Sequence, residues 1–255
     1  MNLLRICFAL LAVALAGCAT RVDDAAATDR MAAHKQLSFQ NPALDPRNGG
    51  QLVRADALRA GDIILSATRG ITSAGIRLLT LAPVSHAALY VGEQRVAEAV
   101  GQGILLRPLD EVLAEESVVV AFRHPGLADA QGQRIREFAQ SKVGGAYNHV
   151  GVMLMAPFSL ERRACELPLL PETVRDFCIR GIATVQLGAG SSNDRFFCSQ
   201  FVLEAYAQAG LPITDADPRW ISPADILHMR EGDVPSVRVH QALVYVGHLK
   251  EEQRP

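Results

Sequence analysis

The sequence predicts a mixed α+β fold, an antiparallel sheet packed with helices. Three observations carry this. Short apolar runs of strand type recur between turn residues from Ile63 onward. Neighbouring runs are separated by tight turns that suit hairpins rather than βαβ crossovers. Later in the chain the period changes, and Cys198–Ala209 carries Phe201, Val202, Ala205, Tyr206 and Ala209 at helical spacing. No internal repeat is visible.

The first element is an address. Arg5 precedes an apolar run, Ile6 to Ala16, that is too short to span a hydrocarbon core, which takes roughly 20 residues. It ends in Leu15-Ala16-Gly17-Cys18, which resembles the bacterial lipobox: residues 1–17 would be removed and Cys18 lipidated. The alternative is an ordinary secretory signal with a chance cysteine. In lipoproteins, Ala19 rather than Asp at the next position implies transfer to the outer membrane, here facing the periplasm. Residues 18–50 lack a sustained apolar period and read as a lipidated N-terminus and flexible tether.

Residues 51–255 form the expected folded domain. The 255-residue chain is 49% hydrophobic, enough to bury a core without a disulfide scaffold. A net charge of −2 and 5% aromatic residues give no reason to expect nucleic acid. After the turn Leu58–Asp62, Ile63–Leu65 reads as a strand. Thr72–Leu81 suits a short helix. Ser85–Gly92 and Arg95–Val100 pair as a hairpin, and Ile104–Arg107 and Ser117–Arg123 follow as strands around one or two helical turns, Leu109–Glu116. Asp129–Val143 is helical, with Ile135, Phe138 and Ala139 on one side. Helix Cys198–Ala209 ends at Gly210-Leu211-Pro212. Ser222 caps a further helix with Pro223 at its first position, and Val244–Val246 is the last strand.

Five cysteines cannot all pair with one another. Outside the cytoplasm disulfides persist, so Cys165 and Cys178, close together in a segment rich in Pro and charge, are expected to bridge and staple a local insertion. Closing so short a loop contributes roughly 3 kcal/mol in the chain-entropy model. The alternative is two buried thiols. Cys198 remains. At the first turn of a helix it meets free N–H groups and a partial positive charge, which favour the nucleophilic thiolate and could hold an oxyanion. On position alone a small buried residue is the simpler reading, so the question turns on a base.

Among seven histidines, His86 stands apart because it opens a strongly apolar strand, where a polar ring is costly without work or a partner. His34 lies in the tether, His124 in a turn before Pro125, and His149 near a plausible groove. His228, His240 and His248 lie in polar or terminal stretches without a companion. Glu98 sits between Ala97 and Ala99 in the next strand. A hairpin would bring it toward His86, where a carboxylate could orient the imidazole. Two independent, satisfied polar residues are the alternative.

Gly61-Asp62-Ile63-Ile64-Leu65, Ser85-His86-Ala87-Ala88-Leu89-Tyr90-Val91-Gly92, Glu98-Ala99 and Phe197-Cys198-Ser199-Gln200-Phe201-Val202 occur in this order. Together they resemble the YaeF/YiiX group of permuted papain-like enzymes in the NlpC/P60 superfamily, over about Leu58 to Leu211. The resemblance implies a circularly permuted papain-like fold, with Cys198 as nucleophile, His86 as base and Glu98 as orienting acid. It places Tyr147 in the substrate groove, and Ser85 is taken as a second substrate-binding candidate. Asn148 stands where family members often carry Asp. The segment from Tyr147 to Cys198 is longer than in most members, so residues 150–193 read as an insertion that could cap the site. The implied activity is that of a cysteine amidase or peptidase on an amide or ester carbonyl, with cell-wall peptide as one substrate. Lipid acyl transfer or ester hydrolysis is the second reading, and would be favoured if Val152–Phe158 lines the groove. A non-catalytic binding lipoprotein is the third. The expected partners are a peptide, acyl-amide or lipid substrate and the membrane. No metal or cofactor is implied, since no ligand set has zinc-like spacing.

Overall fold

The computed structural model describes residues 20–24, 35–39, 51–68, 84–149, 172–187, 195–230 and 237–250, with the isolated positions 151, 158, 161, 162 and 165. The signal segment, Cys18, the helix expected over Thr72–Leu81 and most of Val152–Phe158 lie outside these residues. Within residues 18–50, β1 (Thr20–Asp24) and β2 (Lys35–Phe39) pair antiparallel with each other. Among the described residues no helix is long and apolar enough to cross a membrane.

The domain is built on a six-stranded antiparallel sheet of β3 (Ile63–Ala67), β4 (His86–Gly92), β5 (Arg95–Val100), β6 (Gly103–Pro108), β7 (Val118–Arg123) and β10 (Val244–Lys250). Their spatial order is β10-β7-β3-β4-β5-β6. Helix α1 (Leu109–Glu115) follows β6, and α2 (Asp129–Lys142) follows β7. Two-residue strands β8 (Ala146–Tyr147) and β9 (Arg195–Phe196) pair in parallel, flanking α3 (Glu172–Leu187). Helices α4 (Cys198–Gln208) and α5 (Pro223–His228) complete the set.

The central strands are apolar at nearly every position because both faces of the sheet are covered. Successive side chains point to opposite faces. Ile63, Leu65, Ala87, Leu89 and Ala97 join Phe201, Val202 and Tyr206 of α4 and Ile135 of α2 in one core. Ile64, Ala88, Tyr90, Val96 and Val119 meet Leu109 and Val112 of α1 in the other. Each such aliphatic side chain contributes roughly 1.5–3 kcal/mol when fully buried.

Local chemistry fixes the ends of these elements. The β4–β5 loop places Glu93 and Gln94 at φ 53° and 56°, the left-handed pair that a two-residue hairpin loop requires. Gln94 N–H donates to the Tyr90 hydroxyl (3.2 Å), and Glu93 accepts from Arg136 (3.0 Å), which holds this costly turn. Helix α2 lies so close to the turn before β3 that a Cβ on Gly132 would sit 2.4 Å from the Ala60 carbonyl oxygen. Helix α4 ends in a Schellman arrangement: Gly210 N–H donates to Ala207 O and Leu211 N–H to Tyr206 O, both at 3.0 Å. Ser222 and Asp225 form a reciprocal capping box at the start of α5.

Two histidines differ from the sequence reading, which leaves them in a turn and a terminal stretch. His248 is buried in β10, hydrogen-bonded to the Tyr245 hydroxyl. His124 is also buried; its Nδ1 accepts the Gly126 N–H (3.0 Å), while Nε2 has no hydrogen-bond partner among the described residues. Burial, then the nearby His240, hold the His124 imidazole below its ordinary pKa. Below about 6.5 the unfolded chain therefore takes up a proton that the folded chain refuses, and stability falls as pH drops through that window. Because His86 and His240 are raised and contribute with the opposite sign, this slope is read as the difference between thermal melts of wild type and a His124 variant between pH 7.5 and 5. His124→Asn, whose side-chain oxygen can keep the Gly126 bond, should flatten it; equal slopes would refute the assignment.

Candidate active site

Helix α4 begins at Cys198 because Phe197, in extended conformation, is its N-cap. Phe201, Val202 and Ala205 then seat the helix on the sheet, which fixes Cys198 at the end of β4. The thiol is buried and is the free cysteine among the described residues.

His86 is the first residue of β4. By strand alternation its side chain belongs with Ala88 and Tyr90, on the face away from α4, but at the strand end the ring reaches Cys198 and hydrogen-bonds it. Its Nε2 lies 2.8 Å from Glu98 Oε2. This leaves Nδ1 as the ring nitrogen for the thiol. Glu98 faces Ala88, so it meets His86 diagonally across the hairpin rather than directly opposite.

The electrostatics follow from this contact. Burial pulls the His86 imidazole down, but hydrogen bonds to Cys198 and Glu98, and attraction to both, hold its pKa well above the ordinary value. Burial pushes the Cys198 thiol up; the His86 hydrogen bond and charge, with backbone N–H bonds from Ala87 and Ser199, bring it below ordinary. Glu98 is opposed by its own burial, yet His86 and Arg107 hold it below the carboxylate range. The arrangement favours a thiolate–imidazolium pair backed by an ionised carboxylate.

The structure places Tyr147 beside Cys198, and burial and that neighbour push its phenol well up. Its ring meets His149 edge-on, at 4.9 Å between centroids. Ser85 is buried, and its N–H donates to Ser66 O (2.9 Å), tying down the start of β4. Asn148 is buried; its side-chain oxygen accepts the Gly151 N–H (2.9 Å).

Cys165 and Cys178 are joined by a disulfide. Cys165, Phe158 and Ile179 pack with Phe197, the neighbour of Cys198, so the inserted segment is seated against the residue that starts α4. Phe158 is wholly buried there. Arg162 forms a buried ion pair with Asp225 and donates to Trp220 O (3.0 Å).

Three charged groups of the site escape the sequence reading. Arg107 bonds Glu98 (3.1 Å) and Glu115 (2.7 Å). Glu116 is buried behind His86, bonded to Ser66 and raised in pKa chiefly by its burial. All three lie beyond the apolar strand cores, where charge ordinarily marks a solvated face. Among the described residues no group of three His, Cys, Asp or Glu could hold a metal ion.

No family model matches the chain. Over 234 residues it is 37% identical to "Probable lipoprotein peptidase YaeF" of Escherichia coli (strain K12), covering 91% of this chain and 83% of that protein. Among solved structures it is similar to the crystal structure of metalloprotein yiiX from Escherichia coli O157:H7. That match has 20% identity and a TM-score of 0.42, and covers 77% of this chain and 98% of the other.

Proposed function

The chain belongs to the family of the probable lipoprotein peptidase YaeF, and on that premise we propose that it is a lipid-anchored envelope hydrolase of the cysteine type, with a permuted papain-like domain that cleaves an amide or ester carbonyl. Cell-wall peptide is the proposed substrate, the anchor is Cys18, and the outer membrane facing the periplasm is the proposed location. The observation that carries the chemistry is the contact chain Cys198–His86–Glu98 at the end of β4.

Each group has a defined task in this reading. The Cys198 thiolate attacks the carbonyl carbon, and the carbonyl oxygen takes up the negative charge. N–H groups of the first turn of α4 receive that oxyanion, with no cost of reorientation at the moment of reaction. His86 then gives its Nδ1 proton to the leaving amine or alkoxide, which frees the acyl-enzyme. The neutral ring takes a proton from water, the resulting hydroxide attacks the thioester, and the thiolate leaves. Glu98 accepts the Nε2–H throughout, which fixes ring orientation and stabilises the imidazolium. Tyr147 and Ser85 are proposed to line the substrate groove, and residues 150–193 to cap it.

Hydrolysis should be compared on muropeptides, acyl amides and lipid esters, using the mature protein in detergent with Cys198→Ala as control. Release of peptide fragments, lost in Cys198→Ala, is the expected result. Turnover of lipid esters alone would replace the peptidase reading with a lipid-directed one. Absence of Cys198-dependent turnover on all three would leave a binding lipoprotein.

A further inference from the structure

Glu98 divides its two oxygens between two cations. Oε2 meets His86 Nε2 at 2.8 Å, and Oε1 accepts from Arg107 Nη1 at 3.1 Å. Arg107 reaches this point from β6, the edge strand, where Glu98 faces Leu105, so the arginine sits on the diagonal of the same face. Its other end is held in turn. Nη2 donates to Glu115 Oε1 at 2.7 Å and lies 3.8 Å from Glu111 Oε2, both on α1.

We infer that Arg107 is a positioning residue of the proposed active site, clamping Glu98 so that its second oxygen stays on His86. This rests on the proposed Cys–His–Glu reading. A carboxylate held at one oxygen can swing about its side-chain torsions; one held at both oxygens by opposed donors cannot do so without breaking a bond. The planar guanidinium fork suits this because it donates to Glu98 and Glu115 at once, in fixed relative geometry. The clamp also links α1 to a reaction centre whose nucleophile stands on the other face of the sheet.

Charged groups face Glu98 from each element packed against it. They are His86 on β4, Arg107 on β6, Glu111 and Glu115 on α1 and Glu116 just after it, with Cys198 beyond the imidazole. Removing the Arg107 cation makes this environment more negative. Every protonated form nearby then gains, and the pKa values of Cys198, His86 and Glu98 all rise together.

The test is the rate of Cys198 alkylation by iodoacetamide against pH, read on the Cys198 peptide of the full mature chain, with melting temperature measured alongside. Arg107→Met should move both limbs of the profile to higher pH by about half to one unit, a roughly 3–10-fold loss of rate on the acid limb. Arg107→Lys, which keeps the charge, should hold the limbs near their wild-type positions. Unchanged limbs in Arg107→Met, with His86→Ala still altering the profile, would overturn this inference alone, even if melting temperature fell. A wild-type profile that matches an ordinary thiol and ignores His86→Ala would instead remove the catalytic reading, and this inference with it.

Discussion

His86→Ala should slow alkylation of Cys198 at pH 6 by a factor on the order of 10–100. An isolated thiol with a pKa of about 8.5 is ionised in well under one molecule in a hundred at that pH, whereas pairing with an imidazolium raises that fraction. The gain in rate is smaller than the gain in thiolate, because a thiolate of lower pKa is a weaker nucleophile. The pH dependence discriminates more sharply than the rate. His86 is held well above its ordinary pKa and Cys198 below its own. The pair therefore keeps the thiolate to lower pH than an isolated thiol would, and the wild-type rate should hold up further on the acid side. In His86→Ala the rate should fall steadily with pH, as for a lone buried thiol. Equal rates and equal profiles would remove His86 from the site. Peptide hydrolysis should fall further, by roughly 10²–10⁴, since general acid–base transfer is lost as well.

Asp225→Ala should destabilise the domain by about 3–5 kcal/mol, the cost of breaking a buried ion pair from one side. Arg162 is 6% exposed and Asp225 7% exposed, so neither charge is solvated when its partner is lost. Asp225 also accepts from the Ser222 N–H (2.8 Å) and hydroxyl (2.7 Å), so the same change removes the Asp225 half of the capping box of α5, leaving the Ser222 hydroxyl on the residue-225 N–H. Asp225→Asn retains a cap acceptor and should cost less. Urea unfolding of the three proteins would measure the difference, and a loss below about 1 kcal/mol in Asp225→Ala would refute the assignment. Because Arg162 belongs to the inserted segment, a partly loosened variant should also alter substrate turnover near Phe197.

The sheet and the α4 start are legible in the sequence because each depends on local signals. Apolar runs bounded by Gly turns give the strands, and the change of period at Phe201–Ala209 gives the helix. The meeting of His86 with Glu98 is legible for the same reason, since a hairpin is local. Register is not. That Glu98 faces Ala88, and that Arg107 falls on its diagonal, depends on pairings across β4, β5 and β6 that no single run specifies. Helix α3 lies within the segment read as an insertion and is not anticipated there. A signal was present: Pro171 precedes it, and Val174, Cys178 and Ile182 recur at helical spacing. His124 and His248 escape because burial is set by tertiary packing, which neither the turn at Pro125 nor a strand near the chain end specifies.

The start of the folded domain is bonded to its end: Val53 N–H donates to His248 O (2.8 Å), and His248 N–H to Gln51 O (2.7 Å). β10 is an edge strand, and β7 and β3 separate it from β4. Tension on the residues before Gln51 is therefore delivered to the rim of the sheet rather than to the strand that carries His86. The first bonds to bear the load are these two. The neighbouring β10–β7 ladder would have to fail before the strain reached the histidine. A chain tugged from its amino end would thus shed a few rim contacts while Cys198, His86 and Glu98 kept their spacing.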